Sequence, residues 1–457
     1  MAARLSALPA SPFLVPAVIE ALLASQFAAV TRVVAGEADS YCADCARKQG
    51  GVVLTSDSDL LAHDLGPDGS AIFFKDLQVE EATTGKTTLK ATRYEPAEIA
   101  KAIGLRNLTA FAFAVERDRH RTFKECVSLA KQQADDDPGY ETFRREYSSV
   151  GLHSDLDEYA RDSPRLQTVL EALDPRTSEY VHQLPPPKTE QSRRNYYEMY
   201  LPFLIDDPTR ASAWNSGAWV RRLGYSILNL TTLRRPNIME YGRRGRRIAK
   251  TGMEPFTADE VVLNCKTLSK IFHDTSRVRA QLPRPVLWRL IGIFLACQSL
   301  VEDEKPIPTR NCVEPLLSGR DAGSSWLYIH LSAQLQAALY SLRMLKQFLD
   351  VFFAAYSSLP NAEEFVDLLR DLQRHLDVLP ALHKLFPPTR TECEGQVLDG
   401  AVLKLSEMLG VQEGAFAGPK EKSKKKRKRK KDASADHSSR GTPRQPSNNV
   451  YELLADR

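Results

Sequence analysis

Four carboxylates, Glu37, Asp39, Asp57 and Asp59, have the types and spacing to do chemistry. Each pair follows a short apolar run: Ala28 to Val34 precedes Glu37 and Asp39, and Val52-Val53-Leu54-Thr55 precedes Asp57 and Asp59. Acids crowded at one place repel one another unless cations hold them, and hard oxygen ligands suit Mg²⁺ or Mn²⁺. The chemistry such a cluster implies is phosphodiester hydrolysis with two metal ions. A plainer role is open to each pair. Negative charge in a first helical turn is favoured by ~0.3–1 kcal/mol per residue. Ser56 or Asp57 also suits an N-cap for the turn Leu60-Leu61-Ala62-His63.

Bringing the pairs together requires particular elements. The β-branched run 28–34 reads as a buried strand. Gly36 breaks it, and Glu37 to Lys48 reads as a helix that Gly50-Gly51 ends before a second strand at Val52–Thr55. Two strands joined by one helix lie parallel with a right-handed crossover. Their carboxyl ends then share one sheet edge, where open α/β sheets bind ligands.

The motifs Gly36-Glu37-Ala38-Asp39 and Ser56-Asp57-Ser58-Asp59-Leu60-Leu61 resemble the internal motif of the XPG/flap-endonuclease nucleases, most closely the Asteroid-type branch. Phe13 to Leu22 resembles the helix leading into it. The likeness covers residues 12–79 and continues more loosely to about 132, while Tyr196 to Phe203 adds a softer similarity. The resemblance implies a PIN/flap-endonuclease-type parallel sheet, with Glu37, Asp39, Asp57 and Asp59 binding two Mg²⁺ (or Mn²⁺). Two departures matter. Members of the family begin with a strand bearing a metal-binding Asp, followed by a further acid on a helical arch. Residues 1–12 contain no acid, so the implied sheet lacks its first strand. The family's glycine-rich helix-two-turn-helix would fall near Ala114 to His120, where there is no glycine. Asp118 there matches either the family's last metal-binding acid or a cap before a helix at Thr122 to Lys131.

Charge is unevenly placed. The formal net charge of +4 hides ten Lys or Arg and one Glu within residues 420–431, so the rest of the chain sums to −5. The body is therefore not a generally basic nucleic-acid binder, and such contact must be local. The best local candidate is Tyr241-Gly242-Arg243-Arg244-Gly245-Arg246-Arg247, where Arg243, Arg244, Arg246 and Arg247 offer forks for phosphate and Tyr241 a ring for base stacking. Without a nucleic acid, the same stretch reads as a solvated loop or as an arginine patch for an acidic protein partner. Lys424, Lys425, Lys426, Arg427, Lys428, Arg429, Lys430 and Lys431 are dense enough for nuclear import. Seven scattered cysteines fit a reducing, intracellular compartment. Cys42 and Cys45 sit within the expected helix and are expected to face its packed side. Residues 286–300 are strongly apolar but interrupted by Arg289, which favours a buried helix over a membrane span. NTPase, zinc-protease and serine-hydrolase signatures are absent.

The expected order is an α/β nuclease-like domain over residues 1–132, polar linker and loops over 133–192, a helical domain over 193–410 and a disordered basic tail over 411–457. A further strand is expected at Ala71 to Phe74. A leucine stripe from Leu331 to Leu349 reads as the core of a helical bundle. The expected activity is a metal-dependent, structure-specific nuclease of the nucleus acting on branched or single-stranded DNA or RNA. The alternative is a catalytically degenerate nuclease-fold adaptor for RNA or proteins, with the C-terminal segment docking a protein partner.

Overall fold

In the computed structural model, the described residues are 12–34, 38–81, 87–134, 136–147, 155–185, 196–230, 236–276, 282–320, 323, 325–355, 363–386 and 395–416. Met1–Gly418 clusters as one compact unit. The import cluster Lys424 to Lys431 and the C-terminal docking segment lie outside the described residues.

Helix α1 (Leu14–Leu23) leads the described chain. It packs on the helical body: Phe13 stacks on Tyr340 and on Phe386, each at 4.6 Å. The strand expected at 28–34 does not form. Ala28–Val30 is a 3₁₀ turn, followed by irregular chain to Val34. Its backbone is satisfied locally, with the N–H of Val30 donating to Phe27 and that of Thr31 to Ala28. Val30 is 79% exposed, and β-branching without a partner strand does not make a ladder.

Helix α2 (Ala38–Gln49) forms as expected. Gly50, at φ +71°, ends it by donating its N–H to Ala46 at 2.7 Å, a left-handed cap that suits glycine. The chain turns directly into β1 (Gly51–Thr55), which pairs in parallel with β2 (Gly69–Phe73), from Gly51↔Gly69 to Thr55↔Phe73. Gly69 is required there, because a Cβ would lie 2.0 Å from the Leu65 carbonyl oxygen. Ala43, Ala46, Leu60, Leu65 and Ala71 form a small core between α2 and the strands. The far side of β2 is bridged by Tyr94 opposite Ala71. Among the described residues β1 is an edge strand, with Val52 and Leu54 about half exposed.

A hairpin of β3 (Gln78–Glu81) and β4 (Thr87–Lys90) follows. Next come α3 (Pro96–Ala102), α4 (Thr109–Arg117) and α5 (Phe123–Gln132). A reciprocal capping box between Thr122 and Glu125 starts α5. Residues 133–192, expected to be linker, contain α6 (Pro138–Glu146), α7 (Asp155–Ala160), α8 (Pro164–Leu170) and α9 (Pro175–Val181). Pro138, Pro164 and Pro175 occupy the first helical turn, behind Asp137, Ser163 and Asp174 at the N-cap positions. Leu166, Leu170, Tyr180 and Val181 from this stretch are buried in the main core.

The expected helical domain also contains a sheet. Strand β5 (Tyr196–Tyr200) precedes α10 (Ala218–Asn229), and β6 (Asn237–Arg244) and β7 (Arg247–Met253) follow it. Strand β6 is central, parallel to β5 and antiparallel to β7. The buried underside of the sheet carries Tyr197 and Met199 of β5 and Ile238 and Glu240 of β6. Among the described residues, seven further helices follow: α11 (Ala258–Ser276), α12 (Arg284–Glu302), α13 (Arg310–Ser318), α14 (Trp326–Ala355), α15 (Glu363–Leu376), α16 (Leu382–Leu385) and α17 (Gln396–Leu409).

Helix α14 runs through the centre of the body, and its leucine stripe from Leu331 to Leu349 is buried. Helix α12 is long and apolar enough to cross a membrane, but 67% of that stretch is buried inside the body. Arg289 within it is also buried, donating to the carbonyls of Leu317, Lys384 and Leu385 near the ends of α13 and α16. Packing continues past the expected tail boundary at 411, since Phe416 is buried in the core.

Candidate functional site

The parallel pair β1–β2 replaces the expected βαβ unit, and it still aims acids at one end of the sheet. Helix α2 turns back along β1 through Gly50, so its first turn lies toward the carboxyl end of that strand. The packing of Ala43 and Ala46 against Leu60 holds it there. Asp39, half-buried, is in that first turn. Asp57 and Asp59, both exposed, leave the carboxyl end of β1. Glu37 lies outside the described residues.

Local geometry gives Asp57 the capping role. Its N–H donates to Thr55 Oγ1 and its Oδ1 accepts the N–H of Asp59, each at 3.0 Å, which makes it the N-cap of a 3₁₀ turn at Ser58–Ala62. Asp39, Asp57 and Asp59 do not come together as a trio of ligand atoms; among the described residues, the set that does is His273, Asp371 and His375. Asp118 makes a turn of its own, accepting the N–H of His120 at 3.0 Å. The helix behind it is capped by Thr122 instead.

Other groups join Asp57 and Asp59, and sequence reasoning missed them. The Tyr147 hydroxyl is pushed up in pKa first by burial, then by the charges of Asp59, Glu116, Glu146 and Asp57. Glu116, on the last turn of α4, therefore shares the electrostatic neighbourhood of the Asp57 and Asp59 pair. His63 packs its ring 5.0 Å from that of Tyr147. Burial lowers its pKa, opposed by a backbone hydrogen bond at Tyr147 and by the charge of Asp59. Both residues line a cavity of about 610 Å³ that also presents Arg47, Arg106 and Arg144. Only His63, four residues beyond Asp59, carried a positional signal. Glu116, Tyr147 and the arginines arrive through the packing of α4 and α6.

The arginine stretch is a β-hairpin rather than a loop. Gly245, at φ +63°, makes the tight turn between Arg244 and Arg247, which pair in register. Arg243 is not available to phosphate. Its guanidinium grips Asp206 at 2.5 and 2.6 Å and donates to the carbonyls of Gly245, Asp207, Arg210 and Ala211. Arg244, Arg246 and Arg247 are exposed at the tip. Tyr241 stacks on Tyr200 at 4.5 Å and donates to Glu198 at 2.9 Å, a bond that pushes its pKa up to about 12. The strand register lines up Tyr200, Tyr241 and Lys250 across the outer face, and Tyr196 and Tyr200 are 42% and 44% exposed.

Cys45 faces solvent rather than the packed side of α2, where Ala43 and Ala46 make the contacts.

Among known proteins, the family described as "XPG domain containing" matches residues 10–254. The match runs from α1 to the end of β7, well beyond residue 132. No curated protein and no solved structure matches the chain. With just over half of its length covered, the chain belongs to the XPG-domain-containing family, and its mixed α/β architecture with a small parallel sheet is consistent with a nuclease-like fold.

Proposed function

We propose that this protein is a magnesium-dependent nuclease of the Asteroid type that cleaves branched or single-stranded nucleic acid. The observation that carries this reading is the exposure of Asp57 and Asp59 at the carboxyl end of a parallel strand, beside an arginine-lined cavity. The donor set Glu37, Asp39, Asp57 and Asp59 offers only carboxylate oxygens, which suits Mg²⁺ or Mn²⁺ and not zinc. Two such ions held there would supply an activated water and charge stabilisation for in-line displacement. Arg106 and Arg144 place positive charge where a phosphate would enter the cavity, while Arg47 is held by Asp44 at 2.7 Å. Tyr147, kept protonated by burial and its acidic neighbours, donates a hydrogen bond to a phosphate oxygen. Away from the cleavage point, Arg244, Arg246, Arg247 and Lys250 hold the backbone, and the tyrosine face of the sheet stacks bases. The Lys424 to Lys431 cluster carries the protein into the nucleus.

The test is cleavage of a 5′-flap DNA and of its RNA counterpart by the purified chain with Mg²⁺, with and without chelator. Asp57→Asn and Asp59→Asn should each abolish cleavage while flap binding, read by fluorescence anisotropy, persists. The second reading, a nuclease-fold adaptor, draws on the capping role of Asp57 and on Asp39, Asp57 and Asp59 not coming together as a trio of ligand atoms. It predicts flap binding with no Mg²⁺-dependent product.

A further inference from the structure

We propose that His273, Asp371 and His375 form a site for a zinc-class divalent transition metal that clips the end of α11 to α15. This site does not rest on the nuclease reading. Asp371 and His375 are four residues apart on α15, so the helix sets them on one face. His273 comes from the last turn of α11. The three ligand atoms lie within 4.8 Å of one another. Both imidazoles address the same oxygen, Asp371 Oδ2, from 3.9 Å (His273 Nε2) and 3.8 Å (His375 Nε2).

Those separations are too long for a hydrogen bond. They are close to what an ion would require. Tetrahedral zinc with bonds of ~2.0–2.1 Å sets its ligand atoms about 3.3 Å apart, so each carboxylate–imidazole edge must shorten by only roughly 0.5 Å. The surroundings hold the ligands in place. Phe272 stacks on the His375 ring at 5.3 Å, and the two histidine rings stand perpendicular at 4.9 Å. Arg374 lies 3.9 Å from the other carboxylate oxygen, Oδ1, which leaves Oδ2 turned to the imidazoles. Two imidazoles and one carboxylate select zinc, cobalt, nickel or copper over magnesium. The His273 side chain is 61% exposed, so a fourth position is open to water.

The full chain, stripped with chelator, is titrated with Zn²⁺ against a chromophoric competitor, and with Co²⁺ as a spectroscopic stand-in. One Zn²⁺ should bind per chain and raise the thermal midpoint. The H273A/H375A variant should lose at least about 100-fold in affinity, and Asp371→Asn about tenfold or more. The cobalt form should show the visible bands of nitrogen and oxygen ligation without thiolate charge transfer. Because His273 is exposed, H273Q keeps the fold and decides the matter if the double variant does not fold. Failure of the wild-type chain to take up zinc would overturn the proposal, as would wild-type affinity in H273A/H375A or H273Q. A thiolate signature would also overturn it, placing the ion at a cysteine site such as Cys42 and Cys45.

Discussion

Glu240→Gln removes one buried charge beneath the tyrosine face of the sheet and leaves another without its counterion. The Glu240 carboxylate accepts from Arg221 Nε at 2.6 Å, from Arg221 Nη2 at 2.7 Å and from the Tyr225 hydroxyl at 2.8 Å. The Arg221 side chain is 1% exposed and that of Glu240 8%, so water screens neither. Breaking a buried pair in this way costs about 3–5 kcal/mol, because the remaining ion stays desolvated. That is a large share of a total stability of ~5–15 kcal/mol. An apolar replacement of both partners behaves differently. In R221M/E240L the buried charges are gone, and Ser341 keeps its bond to the Ala337 carbonyl at 2.6 Å. The Trp214 carbonyl and the Tyr225 hydroxyl lose a partner from this pair, at about 1–3 kcal/mol each, and Ser341 Oγ loses the Arg221 donor it held at 3.0 Å. Removal of two desolvated ions offsets much of that cost. Urea unfolding followed by far-ultraviolet circular dichroism and tryptophan fluorescence reads the three chains. The double variant should unfold at a higher urea midpoint than Glu240→Gln. If Glu240→Gln lies within about 0.5 kcal/mol of wild type, or the double variant is the weakest, the reasoning is refuted.

Replacing Arg244, Arg246 and Arg247 together by alanine should weaken single-stranded nucleic-acid binding and flatten its salt dependence by about two to three units, with no loss of stability. Arg243→Ala should instead lower stability, because it strips the counterion from the Asp206 side chain, which is 2% exposed; anisotropy and thermal melts separate the two outcomes. His63 and His330 are both held below their ordinary value of 6.5, chiefly by burial. A depressed folded-state pKa means that stability present above pH 6.5 is lost as pH falls through and below it. His330 Nδ1 also accepts the Asp207 N–H at 3.3 Å, so H63N/H330N, which retains an acceptor there, should flatten the pH–stability curve below neutrality. Gly69→Ala should destabilise the parallel pair by about 1–3 kcal/mol, as overpacking does, visible in the urea midpoint. A reporter fused to residues 415–457 should enter the nucleus, and mutation of Lys424 to Lys431 should return it to the cytoplasm.

The sequence by itself determined local elements with strong, short-range signals. Gly50 announced the end of α2 and the leucine spacing of α14 its buried face, whereas the cap of α5 fell to Thr122 and not to Asp118. The grouping of Asp57 and Asp59 after a strand was equally legible, because strand, turn and cap lie within a dozen residues. Other features depended on partners far along the chain, and tertiary structure decided them. The apolar run 28–34 has strand composition yet, among the described residues, no neighbour to pair with, while Tyr196 to Tyr200 becomes a strand because β6, about forty residues later, lies beside it. Arg243 and Arg244 are adjacent and alike in sequence, but Asp206 takes the first into an ion pair and solvent keeps the second. His273 meets Asp371 and His375 across almost a hundred residues. Period and capping are properties of neighbouring residues, whereas pairing, burial and charge compensation belong to whichever segments the fold brings into contact.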